Sequence, residues 1–270
     1  MLFLYTLAGC RINHNEYLDL QDQLRDTAND IEDTSEAFEM SNTKYALFEP
    51  NGCIEFEQTK CALNDSSWSF SFRFAKDMVA QGMLYNMFQV DDTRILLYLD
   101  TPNSYLLFCD PVEVEGLGTI DDFCTQIDIT FQTAPAPYDR ITISLSSQGN
   151  MLVYHNDGLA SEPANVENKF PQTGSLSFGC PARSEQNIFQ DSTISWIGGI
   201  DSLFLFHQAL PADEVQSLYE AESTSNIWEH FNWETVDSYW NLGEDPDNTI
   251  IDHIGDNNGT SNPLVVFRDH

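Results

Sequence analysis

The chain has 270 residues, 41% of them hydrophobic and 12% aromatic, enough to bury the core of one large β-sandwich or of two small domains. It carries 43 acidic residues against 11 basic ones, a formal net charge of −32. Such a surface repels phosphate backbones and anionic bilayers, which excludes nucleic acid as a partner and leaves cations, calcium above all, and uncharged partners such as glycans. The same acidity reads equally well as a means of staying soluble.

Residues 1–10 (MLFLYTLAGC) form an apolar run that ends in small residues before Cys10. Leu7-Ala8-Gly9-Cys10 resembles the lipobox of bacterial lipoproteins, in which the signal is cleaved before the cysteine and the cysteine takes the lipid. The resemblance implies lipidation at Cys10 and export to the bacterial cell envelope or outer-membrane surface. Membrane contact would then run only through the N-terminal lipid anchor. A buried first strand ending in an ordinary cysteine is the alternative. Residues 11–43 read as an acidic tether, with nine acidic residues from Glu16 to Glu39 against Arg11 and Arg25, too poor in apolar groups to fold alone.

From Lys44 onward the pattern turns to period 2. Trp68, Phe70, Phe72 and Phe74 alternate with Ser69, Ser71 and Arg73, as on a half-buried strand. Arg94–Asp100 and Ser104–Asp110 flank Thr101-Pro102-Asn103, which predicts a hairpin. Gln126–Gln132 puts Ile127, Ile129 and Phe131 on one face. Arg140–Ser146 and Met151–His155 predict a second hairpin, and Asn156-Asp157-Gly158 a further turn. In Trp196–Phe206, Leu203 and Leu205 face one way and Phe204 and Phe206 the other, which suits a central strand or one covered by a helix. One short helix is predicted over Pro211–Tyr219, opened by proline and two acids.

Tyr154-His155-Asn156-Asp157-Gly158, the strand Trp196–Phe206, and the run from Gln208-Ala209-Leu210-Pro211 to Leu218-Tyr219 together resemble the laminin G-like domain family. The order and spacing of the last two carry most of that likeness. The resemblance implies an all-β, concanavalin A-like jelly-roll β-sandwich over residues 44–222, with its short helix near the C-terminal end. It also implies a non-catalytic module for binding or adhesion. Residues 239–260 (YWNLGEDPDNTIIDHIGDNNGT) resemble the opening strand and loop of the same family. They are expected either to begin a second repeat or to be a permuted opening strand, with segment 223–270 docked on the sandwich.

The six cysteines lack C-x-x-C spacing, which argues for disulfides rather than zinc. Cys53–Cys61 and Cys109–Cys124 are candidate local pairs, with the connectivity left open. The expected ligand is a glycan or a surface protein. For a glycan, Tyr98, Tyr105 and Tyr154 with Asn156 and Asp157 are the candidate contacts, though the tyrosines equally suit a core with hydroxyls at the rim. For a structural calcium, Asp252, Asp256 and Asn258 offer hard oxygens in a glycine-bearing loop, with Asp201 as a further ligand; a plain Asn/Gly turn fits as well. Nucleophile-elbow and zincin motifs are absent from the sequence. Glu113 and Glu115 share a strand face with Cα atoms roughly 7 Å apart, so a jelly-roll glycoside hydrolase is the catalytic alternative. A structural envelope protein is the third reading.

Overall fold

The computed structural model describes residues 44–56, 67–75, 83–90, 93–100, 104–114, 118–131, 138–166, 176–181, 193–223, 232–242 and 248–269. Cys10, the tether 11–43, Cys61 and Glu115 lie outside them; Glu113 lies on a strand whose backbone alone is described there. No described helix is long and apolar enough to cross a membrane.

In chain order the strands are β1 (Lys44–Phe48), β2 (Ile54–Phe56), β3 (Trp68–Ala75), β4 (Met83–Val90), β5 (Thr93–Leu99), β6 (Ser104–Val114) and β7 (Gly118–Ile129). They continue with β8 (Tyr138–Leu145), β9 (Asn150–His155), β10 (Gly158–Leu159), β11 (Ala164–Asn165), β12 (Leu176–Phe178), β13 (Thr193–Ser195) and β14 (Gly198–Phe206). Helix α1 (Ala212–Ser223) and a 3-10 turn (Trp233–Thr235) precede β15 (Val236–Asn241), β16 (Thr249–Ile250), β17 (Gly259–Ser261) and β18 (Val265–Asp269).

The strands form two sheets. The first runs β10-β9-β8-β3-β14-β1-β18, with β11 on β9 and β15 on β14; the second runs β16-β17-β2-β12-β4-β5-β6-β7, with β13 on β4. Pairing is antiparallel except where β13 runs parallel to β4. The alternation in the sequence becomes the sandwich. Phe70, Phe72 and Phe74 of β3 and Ile141, Ile143 and Leu145 of β8 point inward from the first sheet. Ile95 and Leu97 of β5, Leu106 and Phe108 of β6, and Ile127 and Ile129 of β7 point inward from the second. Aromatic contacts tie the layers together: Phe70 lies 4.5 Å from Phe88, and Tyr85 4.9 Å from Trp196.

Strand β14 is buried along its whole length. One edge pairs with β3, and the other is shared by β1 along Gly198–Ile200 and β15 along Ser202–Phe206. Leu203 and Leu205 enter the core between the sheets, while Phe204 and Phe206 enter a second core under α1. The strand is therefore both central and helix-covered, which is why it is apolar on both sides. Helix α1 starts after Pro211, one turn longer than predicted, and its Val215, Leu218 and Ala221 repeat every third residue against that second core.

Residues after 232 supply strands to both sheets. β15 lies on β14, β17 on β2 and β18 on β1, and Trp240 packs in the central core 4.3 Å from Phe56.

Cys109 and Cys124 are direct cross-strand partners on β6 and β7 and form a disulfide. Cys53 bonds Cys180, across 127 residues, rather than Cys61. Strand pairing is the reason: Ile54 lies opposite Phe178, so the residues flanking these two are brought together.

Candidate ligand-binding face

The hairpin β5–β6 and its neighbour β7 decide which side chains meet on the outer face of the second sheet. With Ile95, Leu97 and Leu99 inward, Leu96 and Tyr98 must face out. Register then aligns two rows across the strands: Leu84, Tyr98, Tyr105 and Asp128 form one, and Asn86, Leu96, Leu107 and Gln126 the next.

The two tyrosine rings stack with centroids 4.7 Å apart and an interplanar angle of 17°. That separation matches the spacing of neighbouring strands, so the rings stand side by side along the row. They rest on an apolar base of Leu84, Leu96, Leu107 and the Cys109–Cys124 disulfide. Both rings are half-buried, whereas the flanking Gln126 and Asp128 are exposed. The Tyr98 hydroxyl donates to Asp100 Oδ2 at 3.3 Å, and Gln126 Nε2 donates to Asp128 Oδ1 at 2.7 Å. Partial desolvation, aided by the Asp100 carboxylate, pushes the Tyr98 phenol above its ordinary value of 10.0. Apolar ring surface with a rim of carboxylates, amide and hydroxyls is suited to polyhydroxylated ligands.

Tyr154 does not join this face. It points outward from β9 in the first sheet, where α1 covers it, and it packs with Phe204, Phe206, Leu210 and Leu218. Burial, and after it the Asp213 carboxylate, raise its phenol above the ordinary value. Asn156 is buried too. It takes φ 57° in the turn after β9, accepts the Arg140 amide on Oδ1 at 2.9 Å, and donates to Asp139. It therefore shapes the turn, and only Asp157 beside it is exposed.

The proposed cation ligands do not converge. Asp201 is buried and pairs with Arg73 at 3.1 Å. Asp252 is buried as the hub of its loop. Its Oδ1 accepts the amides of Tyr239, Ile254 and Gly255 at 3.0–3.1 Å, and its Oδ2 accepts that of Asn257 at 3.2 Å. Asn258 Oδ1 accepts the Asp252 amide at 2.9 Å, and Asp256 is exposed. A Cβ on Gly255 would stand 2.6 Å from the Asp237 carbonyl oxygen, so the turn requires glycine. With four backbone amides on its two oxygens, the Asp252 carboxylate holds the loop in shape. Among the described residues, the one grouping of three metal-type side chains is Cys53, Glu55 and Cys180, whose sulfurs are bonded to each other.

Comparison with known proteins bears on the fold. A candidate carbohydrate binding protein from Bacteroides ovatus superposes with a TM-score of 0.55 at 13% identity, over 84% of this chain and 60% of that one. The heptameric SAP-like pentraxin from Limulus polyphemus superposes with a TM-score of 0.51 at 14% identity, over 82% of this chain and 94% of that one. The fold is a lectin-like jelly roll. This chain spans 60% of the length of the Bacteroides protein. No protein-family model matches the sequence, and no curated protein does.

Sequence pattern alone singled out Tyr98 and Tyr105, which stack side by side here. It did not single out their neighbours Gln126, Asp128 and Asp100, although once the register of the hairpin is set, outward parity on β7 puts Asp128 beside Tyr105.

Proposed function

We propose that this protein is a non-catalytic binding module that holds a glycan on the outer face of its second sheet. The observation that carries this reading is the half-buried Tyr98–Tyr105 stack between Asp100 and the Gln126–Asp128 pair. The carbohydrate-binding description of the Bacteroides ovatus protein supports it by analogy of fold. The Trp196–Phe206 strand running into α1 supports kinship with laminin G-like domains. Leu7-Ala8-Gly9-Cys10 supports display at a bacterial surface through a lipid on Cys10.

A glycan array probed with the wild-type protein and with Tyr98→Ala and Tyr105→Ala tests the reading. Wild-type hits should weaken by about 30-fold in either variant, the usual effect of truncating an aromatic anchor. A blank array for folded wild-type protein would instead favour a protein ligand. Hits that survive both substitutions would place the glycan elsewhere.

A further inference from the structure

The hydrogen-bond inventory of the tyrosine face is one-sided. Most of its donors are used internally: the Tyr98 hydroxyl goes to Asp100, one Gln126 amide N–H to Asp128, and the Asn86 amide nitrogen to Gln89 and the Cys180 carbonyl, which leaves the Tyr105 hydroxyl and the second Gln126 N–H. What is left over is mostly acceptors. Asp100 and Asp128 each keep a second carboxylate oxygen, Gln126 keeps its carbonyl oxygen, and Asn86 Oδ1 is buried with no donor among the described residues. A ligand for this face must bring hydrogen-bond donors.

Charge points the same way. Asp100 and Asp128 bracket the stack, and the chain as a whole carries −32. The described cation on this face, Arg94, is buried four residues along β5 from Tyr98, roughly 13 Å away along the strand. Uronates, sialic acids and sulfated sugars would bring acceptors and negative charge to a surface that already has both in excess. An ammonium group brings three donors, no acceptor and a positive charge.

Building on the glycan reading, we infer that the tyrosine face selects glycans bearing free amines, with Asp100 and Asp128 as the groups that discriminate. The test is calorimetric titration of the full protein with three oligosaccharides of equal length: β-linked glucosamine, its N-acetylated counterpart, and a polyuronate. Mildly acidic buffer keeps the sugar amines protonated and the aspartates ionised. The amine form should bind about tenfold more tightly than the acetylated form, and added salt should narrow the gap. The double variant Asp100→Asn/Asp128→Asn should bring the two within about twofold. The salt series on wild-type protein tests the same point without any substitution. No binding of the amine form, or equal or tighter binding of the acetylated form or the polyuronate, overturns the inference. If the acetylated form wins but Tyr98→Ala still abolishes binding, the glycan face stands and only the selectivity fails. If Tyr98→Ala and Tyr105→Ala change nothing, the face itself is wrong.

Discussion

The two sheets present opposite outer faces although both are built from the same alternation. On the first sheet, Tyr154, Phe204, Phe206 and Tyr239 point away from the sandwich and are sealed under α1. Phe204 stacks on Tyr239 at 4.4 Å, and the Arg140 guanidinium lies 5.2 Å from the Phe204 ring centre. On the second sheet, Tyr98 and Tyr105 hold equivalent outward positions but stay half-buried with polar groups at their edge. Strand parity therefore assigns a side chain to a face, and the tertiary cover on that face decides whether it becomes core or contact surface. The charged groups follow the same logic. Arg140, with its serine partners Ser71 at 2.7 Å and Ser202 at 2.8 Å, is satisfied within the protein, whereas Asp100 and Asp128 keep oxygens for something outside it.

The largest expected effect breaks the sealed face. Phe204→Ala should cost about 3–5 kcal/mol in chemical denaturation, as for other fully buried aromatics, while Tyr105→Ala should cost about 1 kcal/mol or less. Equal costs would mean that the two faces are not different in kind. Next comes the loop that follows β15. Asp252→Ala strands four amides, two of them in buried and two in part-buried hydrogen bonds, and should lower stability by about 3 kcal/mol. Calcium and chelator should leave the wild-type melting temperature unchanged if the loop is held by its own amides alone; a calcium-dependent rise that Asp252→Ala removes would make the loop a cation site. The smallest effect is alkaline. Tyr154 titrates higher in the folded chain than its unfolded value of 10.0, so its contribution is intact below that pH and is lost as pH rises through the folded value. Tyr154→Phe should flatten that loss in melts across the range, and Tyr98→Phe at the more open face should flatten it less.

Much of the fold was legible because it is local. Alternation in Trp68–Phe74, the two apolar runs that pair as β5 and β6, and the double-sided apolar pattern of Leu203–Phe206 each declare an element within a few residues. What was not legible depends on contacts far apart in sequence. The Cys53–Cys180 pair follows from β2 lying against β12, which no spacing rule reveals. Tyr154 and Tyr98 have the same strand context, and only the placement of α1 separates them. At Asp252 the obstacle is chemical. An aspartate in an Asn/Gly loop offers the same oxygens to a cation or to its own backbone, and composition does not say which takes them.

The pairing of β1 with β18 puts Lys44 opposite Asp269, at one end of a shared antiparallel ladder. The polypeptide thus enters and leaves the described fold one strand apart. A pull that separates these two points would load the ladder one rung at a time, like a zipper, instead of shearing all its hydrogen bonds together. The same closeness makes the sandwich a natural cassette: grafted into a surface loop of another protein through these two points, it would demand little separation of the host's own ends.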